Sequence, residues 1–383
     1  TWEKRNLSIM GKIQIVKTFL LSQMVYIMQA IVLPDEVLKS VNTMLFKFIW
    51  KKKMCNKRAF EKVRRDVICQ SYDNGGLKMI NIIDMQNSFL IQWIQKIYCN
   101  QDAAYCSIPL YYFEKLGMDL SVFQSNILGK DFQGLNYIKN RFWQKVLKTW
   151  LDSKSVTHLN DIPSNDVLNQ VIWNNACIKF KGKALMFNSW IGLGYVLVGD
   201  LFVDDTFLTL DRLRHSMEGQ SQANVLFQYY ALYNALPAAW RSVEGLEAIN
   251  PEQPTFHGRE ITYITSNYTR DILLKMRQKP PCLFNFWSRK YNDIVVDRKI
   301  FMAPFSATKE VRLQVLQWKI IHNIYPTQIL LNKMGKSTDS NCRYCGQRDF
   351  IEHFFCSCPS VVAIWMTVEN KVSVMMGRPV TLS

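Results

Sequence analysis

"NCRYCGQRDFIEHFFCSCPSVVAIW", Asn341 to Trp365, gathers four of the ten cysteines of a 383-residue chain within seventeen residues. Its spacing is Cys342-x2-Cys345-x7-His353-x4-Cys358. A Cys-x2-Cys pair is the usual knuckle that places two thiolates on one ion, and a His and a Cys from the next turn complete a tetrahedron. Gly346 relieves the tight backbone just after the second thiolate. Four protein ligands leave no position for water, so the pattern predicts one structural Zn²⁺ and not a catalytic one. Cys356 offers a His-x2-Cys alternative. Cys358 is preferred, because the longer spacing suits a ligand reached from the following turn and Pro359 then starts a new helix. His322 reads as a helix-surface or core residue rather than a further ligand.

The remaining cysteines, at 55, 69, 99, 106, 177 and 282, are scattered singly. A secreted disulfide scaffold is short and evenly studded, which this chain is not. The expectation is an intracellular, reducing compartment, in cytoplasm or nucleus. No signal peptide is visible. The most apolar stretch, Ile13 to Leu33, contains Lys17, Gln23 and Gln29 and stops at Pro34. It reads as a buried amphipathic helix and not as a membrane span. Position 1 is threonine, and the chain reads as an excerpt of a longer polypeptide.

The charge is basic, with 47 Lys and Arg against 31 Asp and Glu, a formal net of +16. Residues 1–65 hold 14 of the basic residues and 4 of the acidic ones. The densest run is "KKKMCNKRAFEKVRR", Lys51 to Arg65, in which Glu61 is the one acid. Clustering of this kind points to a polyanionic partner.

Helix signals dominate. Ser8 caps a predicted helix to about Ala30, with Ile9, Ile13, Val16, Leu20, Met24 and Ile27 on one stripe. Pro34, Asp35 and Glu36 open a second, to about Lys52, with Val37, Val41, Leu45, Phe48 and Ile49 inward. A third spans roughly Asp84 to Tyr98. Further helices are predicted at 139–151, 164–173, 209–217, 224–235, 261–277, 283–290 and 307–322, then after Pro326 and from Pro359 to Val374. "GLEAINPEQPTFHG", Gly245 to Gly258, is the best boundary candidate. The fold class is mainly α.

At the N-terminus, "W..R.LS..GKIQIVKTFLLSQMVYIMQAIVLP", "LFKFIW" and "GGLKMINI" resemble the thumb that follows the reverse transcriptase palm in LINE-type non-LTR retrotransposon polyproteins. Trp2, Arg5, Leu7, Ser8, Gly11, Lys12, Leu20, Tyr26, Pro34, Phe48, Trp50, Gly75, Gly76 and Leu77 carry that likeness. The tail resembles the zinc-binding domain that closes many of those polyproteins. There Leu316-Gln317, Ile321-His322, Ile324, Pro326-Thr327, Leu331 and Gly335 precede Cys342, Cys345, His353, Cys358, Pro359 and Trp365. Between them, Gly194, Asp200-Leu201, Phe207 and Leu210 resemble one family element, and Tyr230, Leu232, Ala235, Pro237 and Trp240 another. The resemblance spans nearly the whole chain. It implies a thumb-like basic helical domain over 1–100, a helical connector over 101–250, and a helical region with a Cys-Cys-His-Cys zinc-binding domain over 251–383. An upstream polymerase palm is implied as neighbour.

Phe202-Val203-Asp204-Asp205 spells the aromatic-x-Asp-Asp box of a template-copying polymerase. Such a site needs at least three carboxylates converging on two metal ions. No earlier strand supplies the third, and no strand pair with period-two alternation flanks the box. In the family the thumb follows the palm, whereas here the thumb-like segment comes first. Asp204 and Asp205 therefore read as a solvated acidic turn leading into a helix. No catalytic residue is assigned.

The functional expectation is a nucleic-acid-binding fragment that does not catalyse on its own. Lys47, Lys51, Lys52, Lys53, Lys57, Arg58, Lys62, Arg64 and Arg65 are the candidates for tracking the phosphates of a template–primer duplex, RNA or DNA. Trp50 and Phe60, interleaved with them, read as packing residues. The resemblance implies that the zinc domain helps bind element RNA or target DNA. The alternative is a zinc-stapled protein-interaction or assembly module. An active polymerase using Asp204 and Asp205 ranks last.

Overall fold

The structure, a computed structural model, describes residues 5–50, 61–116, 120–127, 129, 132–155, 162, 164–242, 254–278, 283–290 and 297–381. Its helices include α1 (Ile9–Ile15), α2 (Ser22–Ala30), α3 (Asp35–Trp50), α4 (Ile82–Cys99), α5 (Arg141–Ser153), α6 (Leu210–Ser216) and α7 (Gln222–Ala235). There follow α8 (Ser266–Met276), α9 (Leu283–Lys290), α10 (Val311–Ile321), α11 (Gln328–Lys333) and α12 (Pro359–Met376). Among the described residues, strand is confined to three antiparallel hairpins. They are β1–β2 (Lys179–Phe180 with Lys183–Ala184), β3–β4 (Phe202–Val203 with Thr206–Phe207) and β5–β6 (Thr255–Phe256 with Arg259–Glu260). The fold is mainly α, as the patterning predicts.

Local chemistry starts several of these helices. The Ser8 hydroxyl accepts the Gly11 N–H at 3.1 Å, and Asn140 accepts those of Phe142 and Trp143 ahead of α5. Each satisfies donors that the helix itself leaves unpaired. Pro359 opens α12, and Gly377, with φ of 63°, closes it.

The first helix departs from the predicted stripe. Ile9, Ile13 and Val16 are buried as expected, but Leu20 and Ile27 are exposed, while Leu21 and Met28 are buried instead. Val16–Leu21 is a π-helical stretch between α1 and α2. A π turn inserts one extra residue, so the face defined before it reappears one position later. In α3 the inward residues are Leu38, Leu45, Phe46 and Ile49, and Val37 is exposed. The helix predicted over 164–173 stops at Val167. Val171, Ile172 and Trp173 are fully buried where the chain bends and turns and bonds tertiary partners, Ile172 N–H to Val196 O and Asn174 N–H to Leu185 O. The described part of the candidate boundary, 254–258, begins hairpin β5–β6, and Phe256 is buried against Trp150.

The chain forms two compact units. The first comprises Thr1–Gln23, Glu36–Asn81 and Arg277–Ser383. Its distant segments meet at the Tyr72–Phe305 ring pair and at one shared carbonyl. Gly75 O accepts from Trp318 Nε1 at 3.0 Å and from His322 Nε2 at 2.8 Å, both on or just past α10. The Trp318 and His322 rings lie 4.4 Å apart, and both residues are buried. This turn demands glycine twice. Gly75 has φ of 79° and a Cβ there would lie 3.0 Å from the Phe301 ring, while a Cβ on Gly76 would lie 2.0 Å from the Gln70 carbonyl oxygen. His322 is thus a core residue.

The second unit comprises Met24–Asp35 and Ile82–Met276. Helix α4 packs between α5 and α8. The core is rich in tryptophan, and three of its buried indoles find hydrogen-bond acceptors. Trp150 Nε1 donates to Phe123 O, Trp173 Nε1 to Tyr195 O and Trp190 Nε1 to Gln228 Oε1.

Because Gly75 O only accepts, His322 Nε2 carries the hydrogen. Its Nδ1 is buried with no partner among the described residues. Burial pushes the His322 pKa down to about 4, against a smaller upward pull from the Gly75 carbonyl. The folded value lies below the unfolded one, so the unfolded chain binds more protons between about 6.5 and about 4. Stability should fall through that window by on the order of 3 kcal/mol. Urea unfolding across it should find the wild type losing ground to His322→Gln as pH drops; a pH-independent difference would contradict this burial. Gly76→Ala should cost several kcal/mol, roughly the price of a backbone clash that cannot relax.

Candidate metal centre

Residues 341–348 form the knuckle. Asn341 and Arg348 bridge in antiparallel fashion, Cys342 N–H bonds Gln347 O at 2.6 Å, and Gly346 N–H bonds Cys342 O at 2.9 Å. Gly346 takes φ of 74°, the left-handed conformation that the spacing requires after Cys345. The two remaining candidates stand on a π-helical turn, His353–Ser357, whose closing bond runs from Cys358 N–H to His353 O. A π turn bonds residues five apart, which is the His-x4-Cys spacing. Pro359 then starts α12.

The ligand atoms of Cys342, Cys345, His353 and Cys358 all lie within 4.8 Å of one another. Cys345 Sγ is 3.1 Å from His353 Nε2 and 3.9 Å from Cys358 Sγ. Sulfur ligands at 2.3 Å on a tetrahedral zinc stand about 3.8 Å apart, so the donor set and its spacing fit that ion. Cys358 and His353 are 1% and 2% exposed, and Cys342 is buried too. Cys356 is exposed and stands outside the group. The arrangement is compatible with one structural zinc. The metal would cross-link the knuckle to the π turn, and the closed ligand set leaves no open position for chemistry.

The thiols are tuned unequally. The Tyr344 backbone N–H pulls the Cys342 pKa down to about 7, overcoming burial, with Cys345 N–H and His353 assisting. At Cys345 the Gln347 N–H also acts downward, but burial and the neighbouring thiols Cys342 and Cys358 outweigh it and the pKa rises. Three thiols this close cannot all ionise without a cation among them.

Sequence reasoning passed over Asp349. It is 3% exposed, and its Oδ2 accepts the Gln328 N–H at 2.6 Å, tying the knuckle to the start of α11. Its one sequence signal is a lone acid between a basic residue and the apolar Phe350-Ile351. Around the site, Tyr325 packs on Phe354 and Phe355, Trp365 Nε1 donates to Phe355 O at 2.7 Å, and Lys290 of α9 pairs with Glu352.

The basic candidates are distributed differently from the ligands. Lys47 is exposed on α3. Arg64 pairs with Asp66, and Arg65 with Glu61 while lying over the Phe46 ring. Hydrogen bonding to Glu61 holds the Arg65 pKa up. Lys62 is half-buried, and burial, Lys319 and Lys336 lower its pKa. Lys51, Lys52, Lys53, Lys57 and Arg58, and Phe60 with them, lie outside the described residues.

The acidic box forms a hairpin of minimal length, which corrects the expectation that no strand pair flanks it. Phe202 pairs with Phe207 and Val203 with Thr206, leaving Asp204 and Asp205 as the two-residue turn, with φ of 50° and 57°. Positive φ at both positions is what a tight hairpin turn needs, and aspartate tolerates it. Both are exposed. Asp200 Oδ2 accepts the N–H groups of Val196 and Leu197 at 2.8 and 2.6 Å. Among the described residues, the one group of three or more potential ligands is the cysteine and histidine cluster.

Residues 285–365 match the family described as zinc-binding in reverse transcriptase. The match contains all four ligands and supports a reverse transcriptase-related zinc domain in this part of the chain. No curated protein matches the chain. No helix of the described residues is long and apolar enough to cross a membrane.

Metal analysis of the purified chain should find about one zinc per chain, retained in Cys356→Ser and lost in Cys345→Ser and Cys358→Ser. Retention in Cys358→Ser with loss in Cys356→Ser would reverse the assignment of the fourth ligand.

Proposed function

We propose that the chain is the C-terminal part of a LINE-type non-LTR reverse transcriptase polyprotein: thumb-like domain over 1–100, connector over 101–250 and zinc-bearing region over 251–383. It follows an upstream palm, acts inside the cell, and grips RNA, an RNA–DNA hybrid or DNA without catalysing phosphoryl transfer itself. The observation that carries the reading is that a family match to a reverse transcriptase zinc domain coincides with four donor atoms gathered at ligand spacing.

Charge supports the grip. Lys47 and the run from Lys51 to Arg65 supply a concentration of cations in the same unit as the zinc centre. Beyond its burial, Lys62 is repelled by Lys319 and by Lys336, and a phosphate beside it would relieve that repulsion. Arg64 and Arg65, engaged by Asp66 and Glu61, serve the packing of this segment more than the phosphates. Asp204 and Asp205 sit in an exposed turn, and Asp200 caps backbone, which supports a chain that binds without polymerising.

One feature favours the second reading, a zinc-stapled assembly module. Helix α12 has no buried residue and leaves Ile364, Met366, Val374 and Met375 largely exposed. Titration of a labelled RNA–DNA hybrid separates the two. Affinity should drop steeply with salt, and Lys51→Glu/Lys52→Glu/Lys53→Glu should reduce the salt slope by about 2 to 3. Binding that ignores both salt and charge reversal would favour the assembly module. Primer extension that appears with Mg²⁺ and vanishes in Asp204→Asn would contradict the non-catalytic part of the proposal.

A further inference from the structure

The second unit carries a surface that neither the zinc centre nor the N-terminal basic run uses. Hairpin β1–β2 presents Lys179, Lys181 and Lys183, all exposed, within five residues. Its turn is Lys181-Gly182, with φ of 50° and 79° at the two positions, which fixes a tight hairpin. None of the three lysines has an ion-pair partner among the described residues. Lys181 Nζ stands 5.5 Å from the centroid of the Phe180 ring, and that ring meets Phe227 of α7 edge-on at 6.1 Å.

Helix α7 gives this hairpin an aromatic neighbour. Ala223, Phe227, Tyr230 and Asn234 fall on one exposed stripe, and Phe227 and Tyr230 are 57% and 50% exposed. The helix contains no Asp, Glu, Lys or Arg, so nothing on it opposes an anion held by the lysines. Its exposure is not that of a loose element. Val225, Ala231 and Leu232 are buried, Gln228 accepts the Trp190 indole N–H at 3.0 Å, and the Tyr229 hydroxyl donates to Leu208 O at 2.9 Å. The packed face fixes where the outer rings stand.

We propose that hairpin β1–β2 and the outer stripe of α7 form a platform for single-stranded nucleic acid, with Lys179, Lys181 and Lys183 on phosphates and Phe227 and Tyr230 stacking on bases. Unpaired cations beside fixed, exposed rings are the combination by which proteins hold unpaired strands without reading sequence. A duplex keeps its base faces stacked inside, so the rings select the single-stranded form. The platform rests on the nucleic-acid reading above only for the class of ligand, and its residues are distinct from those of the N-terminal run.

The test is fluorescence anisotropy of the full chain with a labelled oligo(dT) of roughly fifteen nucleotides, beside the RNA–DNA hybrid. Phe227→Ala/Tyr230→Ala should weaken oligo(dT) binding about 5- to 100-fold, with hybrid binding unchanged. Lys179→Gln/Lys181→Gln/Lys183→Gln should lower the salt slope for oligo(dT) by about 2. All five positions are exposed or at a hairpin tip, and circular dichroism should show the fold retained. Loss of hybrid binding in the Lys51–Lys53 variant alone, with oligo(dT) still dependent on Phe227, supports the platform. Oligo(dT) binding untouched by both platform variants overturns it. So does a loss that follows the lysines while Phe227→Ala/Tyr230→Ala binds normally, because the rings then contribute nothing.

Discussion

One carbonyl oxygen, that of Gly75, ties together distant segments of the first unit, beside the ring contact of Tyr72 with Phe305. It accepts two buried donors, from Trp318 and His322, that lie more than two hundred residues further along the chain. A buried acceptor without partners is costly, and here both lone-pair directions are used. The turn that offers this oxygen exists because Gly75 and Gly76 lack side chains; a Cβ on the second would clash with the Gln70 carbonyl oxygen at 2.0 Å. Backbone chemistry at two glycines thus contributes to the packing of the N-terminal segments with the C-terminal segment of the same compact unit.

The same logic, local strain fixed by tertiary need, recurs at the metal centre. The knuckle and the π turn each bring two donors to one place. The thiols gather closely enough that their protons compete, and a zinc ion would resolve that competition. Asp349 ties the assembly to α11 by accepting two backbone N–H groups, that of Gln328 on its carboxylate and that of Ile329 on its carbonyl. The result suits a small structural domain and offers no open coordination position.

Much of this was legible in the sequence because covalent spacing dictates it. Cys-x2-Cys, Gly346 and His-x4-Cys each correspond to one local backbone form, and the structure brings the four residues together. Helices announced by caps and periodic apolar residues, such as α4 and α12, lie within two residues of the predicted bounds. The stripe of the first helix failed where a π stretch added a residue, since hydrophobic periodicity carries no sign of such an insertion. The helix over 164–173 was cut short by tertiary pairing of Val171 to Asn174, a non-local effect. The hairpin at Asp204-Asp205 escaped detection because its strands are two residues long. The roles of Gly75 and His322 could not be read, because nothing in either segment points to the other.

The claim that these distant segments form one unit is open to direct measurement by native-state hydrogen exchange. The amide of Leu77, bonded to Ile68 O, and those of α10 should open with one common free energy, and His322→Ala should lower both by the same amount. Loss of protection confined to α10, with Leu77 unchanged, would contradict the account.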